Sequence, residues 1–299
     1  MFSEVLMHDW QWRDWRGASY LTCSLLDGFD HGFFTRQFAP CSPEDLTLAL
    51  KPEARLLRVK QVHGNRVLGA AEILAKESAG LGVADESGWP QADGSVTDGT
   101  LEAAWVCSAD CVPALIADVS TGRVAAVHAG WRGTALEIVP VAIARLQERG
   151  SRLADLRVAL GPAIAGEVYQ VSTTVAAEVG ATVLPEFAGR WRQDAAPLDP
   201  QAPSSDVPDP AKPRLPDEVA EAILETLGSL PHSPLHPDPQ PGRVRLDVRR
   251  VNALQLLNLG LLPEQVAIAP YCTYQTPELF FSYRRERRKQ VQWSGIVSR

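Results

Sequence analysis

Methionine is nearly absent from this 299-residue chain: there are two, Met1 and Met7. A blue-copper centre uses a His₂Cys set with a weak axial methionine or similar ligand, so copper-based phenol oxidation is a poor fit. Cysteine is also scarce. Cys23, Cys41, Cys107, Cys111 and Cys272 are odd in number and irregular in spacing, which argues against a disulfide framework and for a reducing compartment. No apolar run approaches the roughly 18 residues a membrane helix needs. The opening Met1–Trp10 stretch carries acids and lacks the apolar core of a signal peptide, so a cytoplasmic location is expected. A positive surplus is missing too. The net charge of −7 disfavours nucleic acid and anionic lipid as partners. The one basic cluster, Arg284-Arg285-Glu286-Arg287-Arg288-Lys289, reads as a solvated or anion-facing segment. There is no internal repeat.

What is present is apolar material, 45% of the chain, in short alternating segments. Length alone allows one or two domains. Tyr20–Leu26 and Gly32–Arg36 read as strands around the turn Asp27-Gly28-Phe29-Asp30. The apolar stretch Leu56–Leu68 is interrupted at His63-Gly64-Asn65, a turn or bulge that holds His63 at a strand end. Ala103–Cys111 and Ala114–Val119 are two strands around Pro113, and Ser120-Thr121-Gly122 turns the second into Val124–His128. Thr134-Ala135-Leu136-Glu137 fits a capping box, predicting a helix from Thr134 to a stop at Gly150. Further strands are expected at Leu156–Leu160, Arg243–Leu246, Gln265–Ala269 and Gln292–Val297. Helices are expected at Val171–Val183, Asp217–Leu227 and Val248–Leu259, the last capped by Asp247 and ended by Gly260. About half of the 23 prolines fall between Pro197 and Pro241. Two Pro-rich arms, Pro197–Pro216 and Pro231–Gly242, cannot bury enough apolar surface to offset ordering entropy. They read as surface loops inserted at 197–242 in a single domain spanning 1–299.

Three segments join a metal-ligand residue to Gly or Pro punctuation at a predicted strand end. They are Lys60-Gln61-Val62-His63-Gly64, Ser108-Ala109-Asp110-Cys111-Val112-Pro113 and His128-Ala129-Gly130-Trp131-Arg132-Gly133. Singly, each is a weak signal, since a lone histidine or cysteine is more often structural. Together, two imidazoles and one thiolate form the three-ligand set of a catalytic zinc with an open fourth position. The residues alone leave three readings open: zinc at His63, Cys111 and His128, a Cys111–His128 nucleophile pair, or no site. A helix starting near Thr134 would aim free N–H groups back toward the loop of His128 and Arg132, with Gly130 and Gly133 allowing close approach and Arg132 forking onto a phosphate. Shaping of the turn by the glycines is the plainer alternative. Asp93, in Ala92-Asp93-Gly94, is a turn residue or a substrate acceptor. Cys107, four before Cys111, would share one side of a strand with it and is not taken as a ligand. Phe280-Phe281-Ser282-Tyr283 is a core strand with a polar edge, or an aromatic wall for a base.

In this order, Lys-Gln-Val-His-Gly, Ala-Asp-Gly, Ser-Ala-Asp-Cys, His-Ala-Gly-Trp-Arg-Gly and Phe281-Ser282-Tyr283-Arg284-Arg285 resemble the YfiH, or laccase-domain, family over about His31 to Val297. That family has been labelled polyphenol oxidase and peptidoglycan editing factor. The resemblance implies a layered α/β/β/α domain, distantly similar to the deamidase domain of cytotoxic necrotizing factor toxins. It also implies zinc on His63, Cys111 and His128. The implied activity is phosphorolysis of adenosine, inosine, guanosine and methylthioadenosine to base and ribose 1-phosphate, with adenosine deamination beside it. Cys111, His128 and Asp93 are then the expected catalytic residues, with Asp93 or Asp110 handling protons. Arg36, Gln61 and Arg132 are the expected substrate contacts, Arg36 and Arg132 holding phosphate. A monomer or weak dimer is expected. Amide hydrolysis by Cys111 and His128 on a cell-wall precursor is the rival enzyme, and a zinc-stabilised binding module that uses the Pro-rich arms is the non-enzymatic one. The chain departs from the family pattern at Gln37-Phe38-Ala39-Pro40 after Thr35-Arg36, and at Gln275, which follows Cys272-Thr273-Tyr274. It also lacks the family's cysteine pair after Gly161-Pro162.

Overall fold

The computed structural model describes residues 8–76, 88–187 and 215–299. The chain opens with β1 (Trp10–Trp15), β2 (Ala18–Cys23), β3 (His31–Phe34), α1 (Pro43–Leu50), β4 (Arg55–Leu57), β5 (Val67–Gly69) and α2 (Ala70–Lys76). Next come β6 (Gly94–Val96), β7 (Glu102–Ser108), β8 (Val112–Asp118), β9 (Val124–Ala129), α3 (Trp131–Ala135), α4 (Ile138–Gln147) and β10 (Leu156–Leu160). After them run β11 (Gln170–Ser172), α5 (Thr173–Gly180), α6 (Asp217–Ser229), β12 (Leu235–Pro237), β13 (Arg243–Leu246) and α7 (Val248–Leu259). Last are β14 (Val266–Ile268), α8 (Tyr283–Glu286) and β15 (Gln292–Val297).

Two six-stranded sheets are stacked, ordered β1-β2-β3-β15-β7-β4 and β14-β10-β8-β9-β6-β5, with a small β11-β13-β12 sheet beside them. Side-chain alternation explains the stacking. Leu115 and Ala117 of β8, with Val124 and Ala126 of β9, meet Leu21, Phe33, Val106 and Ile296 of the other sheet. The opposite faces of the same strands, Ala114, Ile116, Ala125 and Val127, pack on Ile138, Val139, Ala142 and Ile143 of α4 and on α5 and α7. The first sheet's outer face carries Phe34, Ala103, Trp105 and Val297 against Phe38 and Leu46. The layers are therefore α/β/β/α, as the family resemblance implied. Because both faces are covered, every residue of β8 and β9 is buried. Burying one Leu or Ile stabilises the fold by roughly 1.5–3 kcal/mol, more than an exposed ion pair at about 0–1 kcal/mol. Among the described residues, no helix is long and apolar enough to cross a membrane.

Local chemistry sets several boundaries. Asp118 accepts from the Ser120 and Thr121 N–H groups, and Gly122 takes φ +77°, closing the expected β8–β9 hairpin. Asp247 accepts from the Arg250 N–H to cap α7, and Gly260 at φ +107° ends it. Four expectations change. Ala103–Cys111 is not one strand, because Asp110 turns the chain at φ +100° before β8, so Cys107 and Cys111 lie on different segments. Thr134 does not cap a helix. The helix begins earlier, at Trp131 with Gly130 as N-cap, and Glu137 at φ +55° breaks it into α3 and α4. The Thr134 hydroxyl instead accepts from the Asn252 amide. Val171–Val183 divides into β11, α5 and a 3-10 turn, because Ser172 caps α5 while Gln170–Ser172 pairs with β13. The second Pro-rich arm contributes β12, an edge strand where the missing N–H of Pro237 is tolerated. Of the first arm, residues 197–214 lie outside the described residues.

Candidate metal centre

The register of the second sheet gathers one end of four strands. Pro113 pairs with His128 across the hairpin, so Cys111, just before β8, sits beside the end of β9. Gly94 pairs with Val127, and the His128 N–H donates to the Asp93 carbonyl at 2.7 Å, placing Asp93 next to His128. β5 runs parallel to β6 with Val67 opposite Gly94, so the loop ahead of β5, which carries His63, passes over Asp93.

His63, Cys111 and His128 thereby offer three ligand atoms, all within 4.8 Å of one another. The two imidazole rings stand nearly perpendicular with centroids 4.8 Å apart. His128 is buried, whereas His63 and Cys111 are partly exposed.

Asp93 organises the histidines. Its carboxylate is fully buried and accepts from the backbone N–H groups of Val62, His63 and Gly64 at 3.1, 2.8 and 2.7 Å. Three successive N–H groups converge on one anion in this way only if the loop turns sharply. His63 supplies the turn at φ +60°, a conformation that costs a non-glycine residue roughly 1–2 kcal/mol. Asp93 also lies 2.9 Å from His128 Nδ1, which leaves Nε2 as the nitrogen that could bind a metal. Gly130 has no side chain for a steric reason: a Cβ there would lie 2.9 Å from Cys111 Sγ.

Charge follows geometry. Burial would raise the Asp93 carboxyl, but the hydrogen bond and charge of His128 and the loop N–H groups outweigh it and hold the carboxyl below its ordinary range. Burial also pushes the Cys111 thiol upward, and His128 and His63 together overcome this and lower it. Burial disfavours protonated His128, yet Cys111 and Asp93 raise it. These shifts favour a Cys111 thiolate beside a protonated His128, and a metal would have to displace the His128 proton.

The remaining predicted residues are held by other partners. Gln61 places its amide on Cys107, donating to the carbonyl at 2.9 Å and accepting from the N–H at 2.7 Å. Arg36 donates to the Pro277 carbonyl and to Glu286, and lies over the Phe281 ring. Arg132 lies over the Trp131 ring within α3. Asp110 is buried and engaged by Thr273 and the Arg284 N–H. Thr273 and Arg284 gave no signal of this in the sequence, because they lie more than 160 residues away. The other face of α3 is gripped by α7, where Asn252 and Gln255 donate to the Thr134 hydroxyl and carbonyl.

Comparison with known proteins fits this geometry. A family model described as "multi-copper polyphenol oxidoreductase laccase" matches residues 44–209 and 209–298. "Purine nucleoside phosphorylase slr1573" of Synechocystis is 47% identical over 289 residues, covering 97% of each chain. "Purine nucleoside phosphorylase Rv2149c" of Mycobacterium tuberculosis is 36% identical over 79% of this chain and 69% of its own. The crystal structure of YlmD from Geobacillus stearothermophilus superposes with a TM-score of 0.69 at 24% identity, covering 96% of this chain and 98% of that one. The YfiH structure from Bacillus licheniformis gives 0.67 at 21% identity, covering 96% and 99%. By the family model and by its relatives, this chain belongs to the YfiH, or laccase-domain, family.

Proposed function

We propose that this protein is a zinc-dependent purine nucleoside phosphorylase. Its substrates are adenosine, inosine, guanosine and methylthioadenosine, and adenosine deamination is a second activity. The observation that carries the reading is the convergence of His63, Cys111 and His128, whose ligand atoms all lie within 4.8 Å of one another. The relatives named as purine nucleoside phosphorylases support it.

The donor set suits zinc. Two neutral imidazoles and a thiolate are three of the four ligands of a catalytic tetrahedral site, and Asp93 on His128 Nδ1 is the carboxylate partner such histidines use. Zinc held by His63, Cys111 and His128 would supply a Lewis acid. The chain's own residues do the rest. Asp93 fixes the tautomer of His128 and the turn of the His63 loop. With its carboxylate buried and its oxygens engaged, it acts by positioning rather than by carrying protons. Arg36 and Arg132 bring positive charge for phosphate. In phosphorolysis a phosphate oxygen bonds to C1′ as the C1′–N bond breaks. The electron pair leaves with the purine, which then takes a proton.

One specific observation favours a second reading. Cys111, His128 and Asp93 form a thiolate–imidazole–carboxylate line suited to amide hydrolysis. Copper chemistry has less support. Both methionines lie in the first seven residues, and among the described residues His63, Cys111 and His128 are the one cluster with metal-ligand geometry. The deciding experiment is metal analysis with product identification from inosine and adenosine, with and without phosphate, for parent and His128→Ala. Phosphate-dependent release of hypoxanthine that His128→Ala and chelators both abolish is the expected result. Iodoacetamide-sensitive but chelator-indifferent amidase activity would favour the second reading. A folded His128→Ala protein that cleaves inosine at the parent rate would sink the first.

A further inference from the structure

The residue before the cysteine ligand is held as firmly as Asp93, yet by a different part of the chain. Asp110 is 8% exposed and sits at φ +100°, a backbone region where glycine is at home and aspartate is uncommon. Three contacts keep it there. Oδ1 accepts from the Thr273 hydroxyl and Oδ2 from the Arg284 N–H, each at 2.7 Å. Its carbonyl accepts from the Ile164 N–H at 2.9 Å. Both carboxylate oxygens and the backbone are committed, and the peptide leading into Cys111 is fixed from three sides.

We propose that Asp110 is a positioning residue that sets the direction of the Cys111 thiolate and ties the ligand set to α8 and the small third sheet. The tie continues beyond Asp110. The Arg284 guanidinium donates to the Gln170 carbonyl at 2.8 Å and lies over the Tyr169 ring. The Gln170 side chain donates to Asp238, which also receives Arg245. Asp238 lies in the second Pro-rich arm, so that arm is bonded, residue by residue, to the segment that aims the thiolate. The inference rests on reading His63, Cys111 and His128 as a metal centre. It differs from a proton-carrying role for Asp110, because it places the effect in metal binding and thiolate geometry rather than in turnover alone.

The test uses full-length protein with Asp110→Asn, Asp110→Gly and Thr273→Val. Glycine accepts the φ without strain while removing the whole side chain, so it remains informative if the asparagine variant folds poorly. Zinc affinity is read by competition with a chromophoric chelator. Thiolate geometry is read from the sulfur-to-metal charge-transfer band of the Co(II)-loaded protein, and folding from circular dichroism. The expected result is native circular dichroism, a zinc affinity lowered roughly 10–100-fold in Asp110→Asn and Asp110→Gly, and a displaced charge-transfer band. Thr273→Val should move both readouts in the same direction by less. If folded Asp110→Gly keeps parental zinc affinity and an unmoved cobalt band, the positioning role is overturned, whatever happens to kcat. A parent protein that binds neither zinc nor cobalt would overturn the metal-centre reading itself, and this proposal with it.

Discussion

Two buried carboxylates border the His63, Cys111 and His128 cluster, and they differ in where their partners come from. Asp93 leads into β6 and collects N–H groups from the adjacent His63 loop and the ring of His128, all within the second sheet and its connections. Asp110 leads into β8 and collects its partners from Thr273 and Arg284, far along the chain. The histidine half of the site is therefore built by one sheet's own ladder. The cysteine half is completed only when the C-terminal segment docks. Damage near Asp93 should act locally and strongly, whereas damage near Asp110 can arrive from a distance.

The largest effect is expected from Asp93→Ala. It strands three backbone donors and His128 Nδ1 in a buried place. Each unsatisfied buried group costs about 1–3 kcal/mol, against a whole-protein stability of typically 5–15 kcal/mol. A thermal melt should show the transition lowered by many degrees or lost, and the purified protein should carry no metal. A variant with parental melting and metal content would show that the loop N–H groups find other acceptors, and the contrast with Asp110 would disappear.

Next come the two glycines that press on opposite halves. A Cβ on Gly130 would lie 2.9 Å from Cys111 Sγ and in ordinary contact with His63 at 3.6 Å, whereas one on Gly133 would meet the carbonyl oxygen of Gly64, the residue after His63, at 3.0 Å. Overpacking costs about 1–3 kcal/mol, and in Gly130→Ala it falls on a ligand atom. That variant should keep its fold and lose zinc affinity roughly ten- to hundredfold, on the arithmetic of about 1.4 kcal/mol per factor of ten. Gly133→Ala should show more of its cost in the melt and less in the metal titration. Equal effects on both readouts would mean that the two halves are not separable.

The same division explains what was legible in the sequence. His63, Cys111 and His128 stood out because each sits within two residues of Gly or Pro at a strand end, a purely local signal, and the hairpin register then brings the last two together. Asp247, Gly260 and the strands Leu156–Leu160 and Arg243–Leu246 were equally local, and the structure has them as expected. Thr134 misled because its hydroxyl is claimed by Asn252 across 118 residues, so a sequence that fits a capping box does not form one. β1 escaped notice since Trp-Gln-Trp-Arg-Asp-Trp is mostly exposed and shows little apolar alternation. β6, three residues long, is recognisable only through its pairing with β5 and β9. The lock on Asp110 depends on tertiary contacts alone.

The smallest stability effect is expected at Arg36, where the comparison can be sharpened from the substrate side. Its pairing with Glu286 is partly exposed, at 30% and 19% for the two side chains, so the ion pair contributes about 0–1 kcal/mol. In Arg36→Met an apolar stem can still cover Phe281, and the melt should shift by only a few degrees. A charge-assisted hydrogen bond to phosphate, however, is worth about 1.5–3 kcal/mol. If Arg36 holds phosphate, steady-state kinetics on inosine should show KM for phosphate raised roughly tenfold or more, with kcat little changed and zinc content parental. An unchanged KM would make Arg36 a strut for the Pro277–Glu286 segment, the same segment that delivers the Arg284 N–H to Asp110. In that case a small loss of zinc affinity should accompany the variant instead, because loosening the strut reaches Cys111 through Asp110 and leaves the Asp93 half untouched.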